Sequence, residues 1–310
     1  MKALTARSYG PVEELSVTEL PEPVPGPGQI LVRTEASALN AVDVVLVTGA
    51  MKDAFPISHP FVPGVDVTGV VAAVGDGVTR FTVGDPVLAW NGIPSGALAE
   101  FVLVQDAPSV AIRPAGLEVG LAAALPTAAL TAAALVHEAK LQPGDSVLVV
   151  GASGGVGSFT VQLAKQAGAR VLATARAEEA DLLRGLGADA TVDYRTADVT
   201  AEALTWAPGG VDVVIDLAEA GPALAASASA ARPGGRLVSP LGGPAAFERD
   251  VTAVYTGTRT PDGRLADLAA QAADGRLRVE ISARYPFADA PQALADYAHG
   301  HFPGKVVVTF

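Results

Sequence analysis

The sequence of 310 residues contains no cysteine. This absence excludes disulfide bonds, zinc sites built from thiolates, iron–sulfur clusters and cysteine nucleophiles. The stability of the chain therefore cannot depend on disulfide bonds, and its chemistry cannot depend on thiol groups.

Positive charge is also scarce. Lysine and arginine together number 21 against 33 aspartate and glutamate residues, a formal net charge of −12. Proteins that bind nucleic acids or anionic membrane surfaces use lysine and arginine to neutralise phosphates. The charge balance therefore argues against both kinds of partner, although a local pocket for one phosphate is compatible with it.

The chain has no uncharged stretch that reads as a membrane span. The longest one, Val119 to His137, is interrupted by Pro126 and is rich in alanine and threonine, so it predicts a buried helix. Polar Thr5 and Arg7 follow the first residues too closely for a signal peptide. These features predict a cytoplasmic protein, and the length and 50% apolar content predict two domains.

The first part of the chain consists of short apolar runs separated by turn signals. Pro25-Gly26-Pro27-Gly28 and Gly84-Asp85 are two such signals. The runs predicted as strands lie at Ile30–Val32, Val67–Val71, Pro86–Ala89 and Glu100–Val104. Regular short strands with this punctuation are typical of a β-barrel or sandwich module.

From about residue 121 the pattern changes to alternating strands and helices. Predicted strands at Ser146–Val150, Arg170–Thr174, Thr191–Tyr194, Val211–Asp216, Gly235–Ser239 and Val251–Tyr255 alternate with helices such as Gly155–Ala167 and Glu178–Leu186. Nearly continuous apolar strands between helices predict a doubly wound parallel sheet of the Rossmann type. After a helix near Leu265–Ala273 the strand pattern returns, which assigns 1–120 with 272–310 to the first domain and 121–271 to the second.

A glycine-rich turn joins the first predicted strand of the sheet to its helix. Ala152, Gly154 and Gly157 occupy the three positions of the dinucleotide-binding fingerprint. Such a turn brings backbone N–H groups and a helix N-terminus close to a pyrophosphate. The residues predicted to bind a dinucleotide here are Ala152, Ser153, Gly154, Gly155, Val156 and Gly157.

The same residues also satisfy a second motif. Gly151-Ala152-Ser153-Gly154-Gly155 matches the nucleophile elbow of serine hydrolases, with Asp250 and His299 or His301 as possible partners. The elbow does not explain Gly157, and a hydrolase does not need a strand-rich module ahead of its sheet. The hydrolase is therefore kept as the weaker alternative.

The residues after the second and third predicted strands bear on cofactor choice. NAD sites carry an acidic residue at the end of the second strand, whereas here Arg176 follows that strand. A guanidinium suits the oxygens of a 2′-phosphate, so Arg176 predicts NADPH. Tyr194, after the third strand, is predicted to lie beside the adenosine end.

Several motifs occur together in the order and spacing of one family. They are Pro63-Gly64-Val65-Asp66-Val67-Thr68-Gly69, Phe81-Thr82-Val83-Gly84-Asp85, Gly151 to Gly157, Gly187-Ala188-Asp189, Pro233-Gly234-Gly235-Arg236-Leu237 and Gly304-Lys305-Val306-Val307. In these motifs the chain resembles, nearly end to end, the zinc-free quinone oxidoreductases of the medium-chain dehydrogenase/reductase superfamily. The resemblance implies a GroES-like domain completed by the C-terminal tail, a Rossmann domain, and an active site in the cleft between them.

The resemblance also implies roles for individual residues. Asn40 and Thr131 would face the nicotinamide–ribose end, Ser239 would border the ring, and Asp43 would support the turn at Asn40. Trp90 is a further candidate for the substrate side. No metal site is expected, because Val65-Asp66 stands where zinc-dependent members carry His-Glu, and His299-Gly300-His301 reads as a surface segment.

The chain departs from the family at three places. Val45 replaces a tyrosine, Glu179 replaces a lysine near the 2′-phosphate, and Ala218-Glu219-Ala220 replaces Val-Gly-Gly after the fourth strand. The expected function is an NADPH-dependent, metal-independent reduction of quinones or α,β-unsaturated carbonyls by hydride transfer. Asn40 and Trp90 would meet the charge on a small hydrophobic substrate, and a non-catalytic NADPH-binding or sensor protein is the other alternative. The strand Val251–Tyr255, taken as the sheet edge, predicts a homodimer.

Overall fold

The computed structural model describes residues 1–93 and 96–310. The chain divides into two compact units, one formed by residues 1–127 and 260–310 and the other by residues 128–259. We call them the barrel unit and the sheet unit.

The strands are β1 Lys2–Thr5, β2 Ser16–Glu19, β3 Gln29–Ala38, β4 Asp66–Val74, β5 Pro86–Trp90, β6 Phe101–Gln105, β7 Val110–Ile112, β8 Ser146–Val150, β9 Arg170–Ala175, β10 Ala190–Asp193, β11 Val211–Asp216, β12 Ala231–Ser239, β13 Ala246–Phe247, β14 Val251–Tyr255, β15 Ile281–Pro286 and β16 Lys305–Thr309. The α-helices are α1 Ala41–Thr48, α2 Val119–Ala123, α3 Pro126–Ala139, α4 Gly155–Gln166, α5 Ala180–Gly185, α6 Val199–Trp206, α7 Leu224–Ala228, α8 Arg264–Ala273 and α9 Ala290–His299. Within the described residues, none of these helices combines the length and the apolar character needed to span a bilayer.

The barrel unit is built on a mainly antiparallel sheet. Its strands follow the order β15-β16-β3-β4-β5-β7, and β6 pairs with β3. The last strand of the chain pairs with β3 in the register Val307 opposite Ala38. The C-terminal tail therefore completes this unit, as the resemblance to GroES-like domains implied.

The sheet unit has six parallel strands and one short antiparallel strand. The order is β10-β9-β8-β11-β12-β14-β13. Numbered along the chain, the parallel strands run 3-2-1-4-5-6, the doubly wound Rossmann order. The order reverses between β8 and β11, and in such sheets a ligand binds at the carboxyl ends of the strands at that point.

Helix α4 is buried along most of its length. Residues 157–164 are all buried, and Val156, Val161 and Ala164 pack in the same hydrophobic core as β8 and β9. The polar Lys165 stands in the last turn. This packing holds the helix N-terminus at the carboxyl end of β8.

The structure corrects two predictions about secondary structure and adds one helix that was not predicted. The stretch from Val119 to His137 is not one helix, because the residue before Pro126 is disfavoured in helical conformation and the chain forms α2 and then α3. Helix α6 was missed altogether. The strand β14 is not the outermost one, since β13 pairs with its first residues, Phe247 opposite Val251.

The boundaries of the two units differ from the predicted domain limits. The sequence placed these limits at 120/121 and 271/272, whereas the units change at 127/128 and 259/260. Helix α8 accounts for the second difference, because Ala266 lines a groove together with Phe81 and Ile112 of the barrel unit. A helix pattern alone does not say which sheet the helix covers.

Candidate active site

The turn after β8 has the shape that a pyrophosphate requires. Gly151 has a φ of +77°, and a Cβ on Gly157 would lie 2.2 Å from the Gly151 carbonyl oxygen, so a side chain does not fit there. At Gly154, by contrast, the nearest atom to an added Cβ is 3.5 Å away. The backbone is thus closely packed on the protein side of the turn and open above Gly154.

In the part of the chain that the structure describes, the same turn begins a helix whose first N–H groups no side chain caps. Gly154 is the N-cap of the 12-residue α4 and has no side chain to cap it. The first N–H groups of a helix have no partner within the helix and attract anions. Ala152 and Ser153 are buried beneath this turn. These features fit the pyrophosphate of a dinucleotide and give Gly157 the role that the hydrolase motif left unexplained.

Arg176 and Tyr194 lie side by side at the carboxyl ends of β9 and β10. The strand residues before them, Ala175 and Asp193, are register partners, and Arg176 Nε donates to the Tyr194 hydroxyl at 3.2 Å. Among the described residues, no carboxylate lies within ion-pair distance of the Arg176 guanidinium. Within those residues, no direct ion pair has to break for this guanidinium to bind an anion, although the charge of Glu178 acts on it from farther away.

Glu179 does not stand opposite Arg176 as a competing anion. Its Oε2 accepts the backbone N–H of Arg176 at 3.0 Å, and the residue is buried, with only 5% of its surface exposed. The carboxylate thus fixes the turn after β9.

Thr131 and Ser239 are both buried in the sheet unit. Thr131 Oγ1 lies 2.8 Å from Thr258 Oγ1, and Ser239 Oγ accepts the N–H of Leu241 at 3.1 Å. Thr258 follows β14 and was not singled out from the sequence, because a threonine in a loop carries no motif. Both predicted residues stand at the carboxyl side of the sheet, Ser239 being the last residue of β12.

Asp216 is a further residue that the sequence did not identify. It ends β11 and is fully buried. Its Oδ1 accepts N–H groups from Ala218 and Glu219, each at 2.9 Å, and its Oδ2 accepts the hydroxyl of Ser227 at 2.6 Å. Asp216 therefore shapes the turn that lacks the family's glycines. A carboxylate ending a mostly apolar strand, which also contains Asp212, was the available signal.

In the barrel unit, Asn40 is the first residue before α1. Its backbone N–H donates to Asp43 Oδ2 at 2.8 Å, and the N–H of Gly64 donates to Asp43 Oδ1 at 2.9 Å. This confirms the prediction that Asp43 supports the turn at Asn40. The carboxylate ties the start of α1 to the segment before β4.

The side chain of Asn40 is held by charged groups on both ends. Its Nδ2 donates to Asp66 Oδ2 at 2.9 Å and to the Ala38 carbonyl at 3.1 Å. Its Oδ1 accepts from Lys305 Nζ at 2.6 Å. Both amide hydrogens are therefore occupied, and one lone pair on Oδ1 is left for a further donor.

Asp66 and Lys305 form the buried centre of this network. Lys305 Nζ lies 3.6 Å from Asp66 Oδ2, and the exposed fractions of the two side chains are 4% and 0%. Thr127 donates to Asp66 Oδ1 from its N–H at 2.8 Å and from its hydroxyl at 2.6 Å. The ammonium also donates to the Leu39 carbonyl at 2.8 Å. Each buried charge thus has polar partners.

Burial changes the protonation equilibria of this network. It raises the pKa of Asp43 to about 7, against the two backbone hydrogen bonds that lower it. It also raises the pKa of Asp66, opposed mainly by the positive charge of Lys305, and lowers the pKa of Lys305 itself. Burial next to Asp43 and Asp66 raises the pKa of Tyr297 to about 12.

Trp90 stands next to this network. It is the last residue of β5 and the register partner of Asp66. Asp66 therefore has Asn40 as a side-chain partner and Trp90 as its neighbour across the ladder, which brings the two predicted catalytic residues to one end of the barrel sheet. In the described part of the chain, the Trp90 indole N–H has no acceptor.

The described residues offer no set of side chains that could bind a metal ion. Neither 1–93 nor 96–310 contains a group of three or more histidine, aspartate or glutamate side chains placed to hold an ion. His299 instead pairs with Glu13 at 2.6 Å.

Two family models match the chain. An alcohol dehydrogenase GroES-like domain matches residues 26–114, and a domain described as a zinc-binding dehydrogenase matches residues 186–308. The chain is 31% identical to a chloroplastic quinone oxidoreductase, QR1, of Triphysaria versicolor over 99% of its own length and 98% of that protein. The chain belongs to the quinone oxidoreductase branch of the medium-chain dehydrogenase/reductase superfamily.

Other members of this superfamily extend the match. The chain is 32% identical to an NADPH-dependent alkenal/one oxidoreductase of Arabidopsis thaliana, covering 99% of this chain and 79% of that one. The solved quinone oxidoreductase of Coxiella burnetii superposes with a TM-score of 0.90 at 29% identity, over 100% of this chain and 99% of the other. These likenesses support an oxidoreductase that uses a nicotinamide cofactor. They do not favour the serine hydrolase or the non-catalytic binding protein that the sequence left open.

Proposed function

We propose that this oxidoreductase reduces quinones or α,β-unsaturated carbonyls with NADPH and without a metal. The observation that carries the cofactor choice is the Arg176 guanidinium, which stands beside Tyr194 at the adenosine end with no carboxylate paired to it among the described residues. The glycine turn from Gly151 to Gly157 supports binding of the pyrophosphate. We further propose that Thr131 and Ser239 bind the nicotinamide end of the same cofactor.

NADPH held by these residues would supply a hydride from C4 of its nicotinamide ring. The substrate accepts it at the conjugated carbon of an enone, or on a quinone, and negative charge develops on the substrate oxygen. Water supplies the proton that completes reduction. The protein's task is to position the substrate and to stabilise this charge.

The Trp90 side chain is suited to stabilise the charge on the substrate oxygen, whereas the Asn40 side chain is suited to a contact with the cofactor. The Trp90 indole is a hydrogen-bond donor only, and no acceptor takes its N–H among the described residues. The amide hydrogens of Asn40 are used by Asp66 and Ala38. Asn40 therefore offers the remaining lone pair of Oδ1, which suits a ribose hydroxyl, and we assign it to the cofactor rather than to the oxyanion.

Metal independence follows from the kind of acceptor. Oxidation of a simple alcohol needs a group that holds the alkoxide, which zinc does as a Lewis acid. A quinone or enone instead gives a delocalised anion, which hydrogen bonds stabilise. We therefore propose a small, hydrophobic, planar quinone or enone as the substrate.

The test is steady-state oxidation of NADPH by the purified protein. We expect turnover with 1,4-benzoquinone or a simple enone, unchanged after dialysis against EDTA, and little activity with primary alcohols and NADP⁺. Oxidation of primary alcohols that EDTA abolishes, with no activity on a panel of quinones and enones, contradicts the proposal.

We also propose a cytoplasmic homodimer. One edge of the sheet is formed by β13 and by the last residues of β14, which β13 does not pair with. The partly exposed Tyr255 is one of these residues. A short strand paired over only part of its neighbour leaves backbone groups for a second copy. Light scattering at micromolar concentration checks this, and a monomer there refutes it.

A further inference from the structure

A cluster of charges surrounds Arg176 at the carboxyl ends of β9 and β10. The turn after β9 carries Glu178, and the end of β10 carries Asp193 and Arg195. Asp193 Oδ2 accepts the N–H of Ala177 at 3.1 Å, so this carboxylate lies directly beside the backbone of Arg176. The cluster therefore holds acidic groups next to the cation that we assign to the 2′-phosphate.

Arg195 binds two carboxylates in this cluster, the exposed Glu178 and the partly buried Asp193. Its Nη2 lies 2.9 Å from Glu178 Oε2 and 3.3 Å from Asp193 Oδ2. Its Nε and its backbone N–H also donate to Asp193 Oδ1, at 3.3 Å and 2.9 Å. One guanidinium thus bridges the turn after β9 to the end of β10.

The electrostatics of the cluster link the two arginines. Hydrogen bonds from the side chain and backbone of Arg195 lower the pKa of Asp193. The pKa of Glu178 is also lowered, first by a hydrogen bond with its own backbone and then by the charges of Arg195 and Arg176. Both carboxylates therefore stay ionised near pH 7, and Glu178 acts on Arg176 as well as on Arg195.

The consequence concerns a ligand with a phosphate at this position. Two carboxylates beside Arg176 repel a phosphate that carries close to two negative charges, but they act only weakly on a neutral ribose hydroxyl. Arg195 offsets this repulsion, since its positive charge is held against both carboxylates. Its effect therefore falls on NADPH and hardly on NADH.

We infer that Arg195 is a specificity-determining residue, which pairs with Glu178 and Asp193 so that Arg176 can accept the 2′-phosphate of NADPH. The inference rests on the proposed cofactor site, but not on the identity of the substrate. It assigns opposite roles to two neighbours, because Arg195 favours the 2′-phosphate and Glu178 opposes it. A residue that merely braces the turn has no such opposite partner.

The experiment measures binding with the whole protein and needs no turnover. Dissociation constants for 2′,5′-ADP and 5′-AMP, and for NADPH and NADH, are measured by calorimetry for the wild type, Arg195→Ala and Glu178→Gln. Arg232→Ala is the matched control, because Arg232 forms a comparable ion pair with Asp212 at 2.7 Å, near the opposite ends of β11 and β12. Circular dichroism melting verifies that each variant is folded.

At low ionic strength, we expect Arg195→Ala to raise the dissociation constants of 2′,5′-ADP and NADPH about threefold to tenfold. The dissociation constants of 5′-AMP and NADH should change less than about twofold. Glu178→Gln should strengthen the phosphate-bearing ligands about twofold to fivefold, and both effects should shrink in high salt. Arg232→Ala should change neither the affinity ratio of 2′,5′-ADP to 5′-AMP nor that of NADPH to NADH.

Three results overturn the inference. They are an equal loss of both ligand classes in Arg195→Ala, weaker 2′,5′-ADP binding in Glu178→Gln, and a wild type that binds 2′,5′-ADP no better than 5′-AMP. If Arg195→Ala does not fold, Glu178→Gln decides alone. A wild type that prefers NADPH but reduces no quinone or enone contradicts the proposed reaction and leaves this inference standing.

Discussion

Lys305 and Asn40 are 265 residues apart in the sequence, yet Lys305 Nζ donates to Asn40 Oδ1 at 2.6 Å inside the barrel unit. Asp66 accepts from the other end of the same amide at 2.9 Å. A cation on the oxygen and an anion on the nitrogen allow the amide only one orientation. This pairing of the first and last parts of the chain decides which hydrogen bonds Asn40 can offer to a ligand.

Replacing Lys305 by methionine should strongly destabilise the protein. The variant leaves Asp66 buried without its cation, and removing one partner of a buried ion pair costs about 3–5 kcal/mol. Urea unfolding followed by circular dichroism measures the loss. Arg113→Met is the control, since Arg113 pairs with Glu35 in the same unit at 2.7 Å but both side chains are more exposed. A loss for Lys305→Met no larger than for the control contradicts the assigned role.

Asp43 should make the stability of the protein depend on pH. Its pKa is about 7 in the folded protein and 3.8 as a free side chain, so the folded state binds the proton more tightly. The contribution of this group is therefore complete below pH 3.8 and is lost as pH rises through about 7. Relative to Asp43→Asn, which does not titrate, wild type should lose on the order of 4 kcal/mol across this window.

The measurement is urea unfolding of both proteins at intervals from pH 4 to pH 8. Asp66 and Lys305 are present in both, so their own titration cancels to first order. A stability difference that is constant with pH, or that moves in favour of wild type as pH rises, contradicts the raised pKa.

Arg176→Ala should weaken the binding of NADPH much more than the binding of NADH. A hydrogen bond to a charged partner contributes about 1.5–3 kcal/mol, so the NADPH dissociation constant should rise about tenfold to a hundredfold. Fluorescence titration with each cofactor measures the change. Arg184→Ala is a control on the neighbouring α5, where Arg184 pairs with Asp181. Equal losses for the two cofactors would sink the assignment of Arg176.

Two glycines of the turn should respond differently to alanine. In Gly157→Ala the new Cβ meets the Gly151 carbonyl oxygen at 2.2 Å, so the turn must move and the melting temperature should fall by several degrees. In Gly154→Ala the nearest atom is 3.5 Å away, so the fold should tolerate it while NADPH and NADH both bind more weakly. Unchanged cofactor binding in Gly154→Ala means that the pyrophosphate does not pass over this residue.

Trp90→Phe should lower the turnover rate without changing the affinity for NADPH. The variant keeps an aromatic ring and removes the indole N–H, and loss of one donor to a developing oxyanion costs about a hundredfold to a thousandfold in kcat. Stopped-flow reduction of 1,4-benzoquinone gives the rate, and fluorescence titration gives the NADPH affinity. A normal rate assigns the charge stabilisation to another donor.

Local patterns were enough to predict the sheet unit but not its boundaries. The six parallel strands were all located, because short apolar runs between helices are typical of strands buried on both faces of a parallel sheet. The predicted single helix at Val119–His137 divides at Pro126, and α8 belongs with the barrel unit. Helix α6 was missed because the same segment also reads as a loop. Pro126 decides the division of the first segment, whereas packing against the barrel unit decides the place of α8.

The site residues show the same division. The turn from Gly151 to Gly157 and the substitution at Arg176 were visible because each follows directly from a strand. Thr258 and the pairing of Arg195 with Glu178 were not visible, since each contact joins separate elements of the chain, and Asp216 was overlooked. Glu179 was noted only as the replacement of a lysine in the family, and the structure places its carboxylate on the backbone N–H of Arg176.

The sequence by itself determined the two-domain α/β architecture, the dinucleotide turn and the lack of thiol chemistry, because these depend on residue type and on spacing along the chain. Only the tertiary structure decided what Asn40 can do. Its partners Asp66 and Lys305 come from β4 and β16, and both amide hydrogens and one lone pair are occupied once these strands pair with β3. Hydrogen-bonding capacity is limited in this way by which groups burial brings together, and spacing along the chain does not contain that information.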